Sequence, residues 1–193
     1  MDKENKVDKI TLSIITTIQT VIINEIGGLV YPHGKSNKDI LRQSSPYIKF
    51  LPIISSIEFL GACYDELPFD TTRLGKEDIV EKRFNIALKN LFDKKYLPFT
   101  KADNDFYFYK KLRCCMIHQL RPRKGIMFTT RFESKEDKTE HLKKEKYVYL
   151  VLVLEDFYDD LKKASEKLIY QFNNKKITNK KGELAFIDII NIN

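Results

Sequence analysis

A chain of 193 residues with 34 Lys and Arg against 27 Asp and Glu, net charge +7, suits one domain biased toward polyanionic partners. Its 42% hydrophobic and 12% aromatic residues argue against general disorder, and only seven Gly and six Pro argue against a turn-rich β-sandwich. Three cysteines, Cys63, Cys114 and Cys115, with no C-x-x-C pair, argue against a disulfide framework or a cysteine metal centre, and reduced thiols fit a cytoplasmic protein. The charged start MDKENKVDKI carries no signal-peptide pattern, and no apolar run reaches membrane-spanning length.

Residues 8 to about 25 form the first predicted helix. Ile10, Ile14, Ile15, Ile18, Val21 and Ile22 make an apolar stripe near the 3.6 period, closed by Gly27-Gly28. A polar connection over 29–45 holds His33, read as a solvated loop histidine. Residues 46–64 are the second helix, with Pro46 and Pro52 confining its start so that the regular part begins at Ile53. Glu58 is a carboxylate set within that apolar helix: either it lies on an exposed face beside Ser55, or it partners a polar site elsewhere.

The third helix runs from Lys76 or Glu77 to Phe92, with Phe84, Leu88 and Leu91 inside; Leu97-Pro98-Phe99 follows as a hydrophobic plug. The fourth covers 106–120, with Asp103 and Asp105 at its cap and Pro122 as its stop. Residues 125–131 and 147–152 read as two antiparallel strands joined by a charged loop over 134–146 that leaves His141 in solvent. Residues 155–172 are the last helix, with Phe157, Leu161, Ala164, Leu168 and Tyr170 inward. A basic linker and the apolar segment 184–192 complete the chain. The expected fold is mainly α: a bundle of about five helices over residues 1–172, with a β-hairpin (about 125–152) inserted before the last long helix, and 173–193 as an appendage.

The fourth helix concentrates the chemistry. Arg113 and His118 stand near its end, followed by Arg121, Arg123 and Lys124, and an imidazole among fixed cations suits proton transfer beside a phosphate. No G-x-x-x-x-G-K, G-x-G-x-x-G, H-E-x-x-H or G-x-S-x-G is present, which argues against the commonest nucleotide, zinc-protease and serine-hydrolase sites. Arg113-Cys114-Cys115-Met116-Ile117-His118 resembles the Arg-x4-His signature of the HEPN superfamily of helical domains. The longer run LRCCMIHQLRP is similar to the helix end of small bacterial HEPN-like proteins of unassigned role, as is IEFLG around Glu58.

That resemblance implies a HEPN-like bundle and a metal-independent endoribonuclease of toxin or phage-defence type. Its catalytic residues would be Arg113 and His118, with Glu58 as a supporting polar group and Arg121, Arg123 and Lys124 on RNA. It needs no metal or cofactor. Five residues turn an ideal helix by about 140°, so one helix does not assemble the pair, and the resemblance implies a homodimer with facing helix ends. The position after the arginine, typically polar in the family's ribonucleases, is Cys114, a weak orienting group. The alternative is a non-catalytic helical dimerisation module that binds RNA or a cognate protein partner, away from any membrane.

Overall fold

The computed structural model describes residues 11–32, 46–65, 67–145 and 149–174; His33 and the apolar segment 184–192 lie outside them. In the first helix, α1 (Thr11–Val30), the buried residues Ile14, Ile18, Ile22, Ile26 and Val30 recur every four positions. At 3.6 residues per turn such a row drifts by roughly 40° per step. The wider π turns of Ile18–Ile26 drift the other way and hold the row against the core.

Gly27-Gly28 does not close α1, as expected, but carries it on to Val30. A Cβ on Gly27 would stand 2.4 Å from the Tyr158 hydroxyl, which donates to the Ile23 carbonyl at 2.7 Å. The glycine therefore admits a tyrosine rather than ending a helix. By length and composition (hydropathy 1.4 over an 18-residue window) α1 could cross a membrane, which corrects the expectation that no segment reaches that length. Here its isoleucine face is buried against protein.

Helix α2 (Pro46–Ala62) is unbroken across Pro52, contrary to the expected late start at Ile53. The Ser56 hydroxyl donates to the Pro52 carbonyl at 2.8 Å. Phe50, Ile53, Ile54, Ile57 and Leu60 are fully buried on α2. The connection after it makes a small hairpin, β1 (Arg73–Leu74) and β2 (Glu77–Asp78), turning through Gly75 at φ 60°. Asp78 then caps α3 (Ile79–Asn90), accepting the Glu81 N–H at 3.0 Å.

Arg83 of α3, only 1% exposed, saturates its guanidinium on the loop below α2. It bonds both carboxylate oxygens of Asp65 (2.5 and 3.0 Å) and the carbonyls of Leu67, Pro68, Phe69 and Thr71. A 3₁₀ turn (Lys94–Thr100) inserts Tyr96 and Phe99 into the core, so of the expected plug Leu97-Pro98-Phe99 only Phe99 is buried while Leu97 and Pro98 are exposed. There Phe99 stacks on Phe108 at 4.6 Å.

After the fourth helix, α4 (residues 108–119), the chain forms β3 (Ile126–Thr129), α5 (Arg131–Glu136), β4 (Lys144–Glu145) and β5 (Tyr149–Val153). The expected antiparallel hairpin is corrected: β3 runs parallel to β5, Ile126 opposite Leu150, in a three-stranded sheet of order β3-β5-β4. The physical reason is α5. A capping box between Thr130 and Glu133 starts a helix where a loop was expected, and the chain returns in the same direction. The antiparallel pairing belongs to β4 and β5. Helix α6 (Leu154–Asn173) closes the core with Phe157, Leu161, Ala164, Leu168 and Phe172, while Tyr170, expected inward, is 58% exposed. The architecture is mainly helical.

His141, expected in solvent, has a side chain only 6% exposed. Its Nδ1 accepts the Val153 N–H at 3.1 Å, which places the ring proton on Nε2, 2.8 Å from the Tyr96 oxygen. The Tyr96 hydroxyl in turn donates to Asp160 at 2.8 Å. Burial pushes the imidazolium down to about 4, against the attraction of Asp160. An unfolded ring titrates near 6.5, so as pH falls the unfolded chain takes the proton first. Stability tied to His141 is complete above pH 6.5 and is lost between there and about 4, by about 3 kcal/mol. Urea melts from pH 7 to 4 should show that loss, and His141→Gln, which keeps an acceptor and a donor, should remove it. Equal pH slopes in both proteins would refute the assignment.

Candidate functional site

Helix α4 is built on a buried row, Phe108, Leu112 and Met116, again spaced by four and again with a π turn, Tyr109–Cys114, inside it. Asn104, not Asp103 or Asp105, receives the N–H of Phe106 before the helix, at 2.8 Å. The stop is not Pro122 but Leu120, which takes a left-handed conformation (φ 55°) and donates its N–H to the Met116 carbonyl at 3.1 Å.

Arg113 lies in the π turn. Its guanidinium bonds Glu58 of α2 through Nη2 (2.7 Å) and Nε (3.1 Å), with the two side chains 16% and 26% exposed. It also stands 5.8 Å from the Tyr109 ring centre. The Tyr109 hydroxyl donates to Asp78 at 2.7 Å, and Tyr107 donates to Glu81 at 2.5 Å while accepting from Asn85 at 2.9 Å. Two carboxylates at the start of α3, two tyrosines, Arg113 and Glu58 thus share one half-buried network.

The electrostatics follow from this arrangement. Burial alone would raise the Asp78 carboxyl. The N–H groups of Glu81 and Val80, the Tyr109 hydroxyl and the Arg113 charge outweigh it, and Asp78 titrates below its ordinary value. Burial alone would lower Arg113, but the bond to Glu58 and its charge hold the guanidinium above its ordinary value. Tyr107 and Tyr109 are pushed up by burial and by their carboxylate partners. At neutral pH the site holds a fixed cation, Arg113, with an ionised Asp78 and two neutral phenols.

His118 is placed elsewhere. It is exposed and takes no hydrogen bond from any described residue. Three of the five steps from Arg113 to His118 lie in regular α geometry, the first two in and leaving the π turn; Arg113 bonds Glu58 of α2 and His118 faces water. The structure brings Glu58 to Arg113 and leaves His118 apart. Arg121, Arg123 and Lys124 are exposed beyond the helix end, next to Ile117 (37% exposed) and Leu120 (66%). Cys114 and Cys115 are half-buried, the Cys115 thiol donating to the Lys110 carbonyl. Among the described residues no group of three or more His, Cys, Asp or Glu is placed to hold a metal ion.

Sequence reasoning missed Asp78, Glu81, Asn85, Tyr107 and Tyr109. The available signal was Asp78-x-x-Glu81 at a helix start, a capping pattern that also aims two carboxylates across the turn. The two tyrosines read as core, and their rings are indeed buried; only their hydroxyls reach the network.

Fold and site together define a mainly helical domain with a buffered arginine network beneath an exposed histidine helix end. No family model matches the chain, and neither a curated protein nor a solved structure matches it.

Proposed function

We propose that this chain is a HEPN-like helical domain that binds RNA and works as a homodimer in the cytoplasm. The observation that supports it is the end of α4: an unbonded, exposed His118 beside Arg121, Arg123 and Lys124, none of which pairs with a described carboxylate within 4.0 Å. Free cations of this kind serve polyanions by releasing the counterions of the phosphate backbone. Ile117 and Leu120 supply exposed apolar area for a second copy at the same end.

The second reading is metal-independent cleavage, favoured by the position of Arg113. Its guanidinium is held by Glu58 yet still reaches solvent, the state needed to stabilise charge on a phosphorane. His118 of a second copy would take the proton from the 2′-hydroxyl, whose attack on the adjacent phosphorus leaves a 2′,3′-cyclic phosphate and expels the 5′-oxygen, which leaves as an alcohol protonated by that imidazolium or by water. The 2′-hydroxyl makes the substrate RNA rather than DNA.

Filter binding to mixed RNA across a salt series tests the first reading. Arg121→Gln/Arg123→Gln/Lys124→Gln should shallow the log–log salt slope by about 2, at about 0.7 per phosphate contact. Unchanged binding in that variant would reject it. The same RNA incubated with chelator separates the second reading: cleavage that persists and disappears in His118→Ala supports it, and equal cleavage in both proteins refutes it. A strict monomer at working concentration counts against the dimer.

A further inference from the structure

We infer that the RNA path does not end at the His118 helix end but runs back along α4 to a lysine-lined cleft at the other end of that helix. This rests on the RNA-binding reading. From Leu120 the chain folds back on α4, so that the Arg123 N–H bonds the Lys111 carbonyl at 2.9 Å. The Lys111 ammonium, in turn, bonds the Asp105 carbonyl. Gly125 accepts the N–H of Leu150 at 2.8 Å, Leu150 is the register partner of Lys144, and the Lys144 ammonium sits 5.0 Å from the Phe106 ring centre. Cations far apart in sequence thus follow one another from the turn at Arg123, by way of Lys111, to Lys144, which β4 holds beside Phe106 just before α4.

Beyond Lys144 opens a cleft of about 650 Å³ lined by Lys94, Lys101 and Lys144, with Asn104 and the carboxylates of Asp103 and Asp105. The three lysines are exposed, and none forms an ion pair with a described carboxylate. The contrast with their neighbours decides the reading. Lys95 is held by Asp160 at 2.6 Å and Lys143 by Glu140 at 2.9 Å, so pairing is available on this face, and the cleft lysines do without it. A cleft that sets ammonium groups with no described carboxylate partner beside Leu97 and Pro98 suits a flexible single strand, whose phosphates can meet the lysines while sugars and bases lie on those two side chains. Asp103 and Asp105 keep that end weaker than the helix end.

The test uses two oligouridylates, about 4 and about 16 nucleotides long, spanning the usual site sizes of single-strand binders. Salt-dependent affinities are measured for the parent, for Lys94→Gln/Lys101→Gln/Lys144→Gln, and for the helix-end triple variant, after thermal melts show all three folded. For the cleft variant, the 16-mer slope should shallow by about 2 and its affinity approach that of the 4-mer, whose own binding stays unchanged. If the cleft variant binds the 16-mer like the parent while the helix-end variant loses both oligomers, the path is wrong and RNA binding at the helix end stands. If the parent binds neither oligomer, both fall.

Discussion

Replacing Gly61 by alanine is expected to destabilise the fold by about 3 kcal/mol or more, although alanine is the better helix former by about 1 kcal/mol. A Cβ at Gly61 would lie 1.8 Å from the Arg83 carbonyl oxygen and 2.5 Å from its carbon. Both are backbone atoms of α3, so relief requires prying α2 and α3 apart, and every fully buried residue between them loses contact. In a chain of this size each kcal/mol lowers the melting temperature by about 2–4 °C, so the loss should read as roughly 6–12 °C. Gly28→Ala is the matched control: it sits in α1 with nothing within 4 Å of the new methyl, and should gain about 1 kcal/mol. Opposite signs at two helical glycines, read in one calorimetric series, would establish the close approach; a Gly61→Ala protein as stable as the parent would refute it.

Arg83→Leu is expected to cost about 3–5 kcal/mol. The substitution removes the guanidinium that Asp65 and four backbone carbonyls share and puts an apolar side chain against them. Arg83→Lys should recover little, because an ammonium has three donors and no planar fork, whereas this guanidinium serves five residues. Asp65→Asn in the Arg83→Leu background should return part of the loss by removing the charge that Arg83 offsets. Urea unfolding measures all three, and limited proteolysis should cut the loop after α2 first in both arginine variants. A loss under about 1 kcal/mol for Arg83→Leu would mean that water replaces the clamp.

How much was legible depends on where the cause of each feature lies. The helices were readable because their causes are local: isoleucines on one stripe, Phe84 and Leu88 at helical spacing, a long apolar face in α6. The spacing of four in Ile14, Ile18, Ile22 and Ile26 was in plain view but was read as the ordinary 3.6 period, so the π turns were missed. The parallel pairing of β3 with β5 was missed because α5 hides in a charged run, although its Thr-x-x-Glu box marks it. Gly27 and His141 were misread because Tyr158, Tyr96 and Asp160 approach them from distant elements. Arg83 offered one hint, an arginine four residues from Ile79 and four from Ala87, on the core stripe. Of the site, Glu58 and Arg113 were found, but that Leu120 rather than Pro122 ends the helix rests on a conformation that leucine rarely takes.

The order of strands in the sheet also fixes an order of events during synthesis. The central strand, β5, is the last of the three to be made, so β3 leaves the ribosome as an unsatisfied edge with nothing to pair with. Its partner residues stand 24 positions later, Ile126 to Leu150. At about 5–20 residues per second that interval is on the order of 1–5 s, during which the apolar segment Ile126–Thr129 is shielded by the helices before it or by a chaperone. The helices built from α1 to α4 are complete by then, and the Phe50 ring that stacks on Phe128 at 3.9 Å waits on α2 as a landing place. Folding of this chain is thus expected to be vectorial, the earlier helices receiving a late sheet and α6 closing the core last.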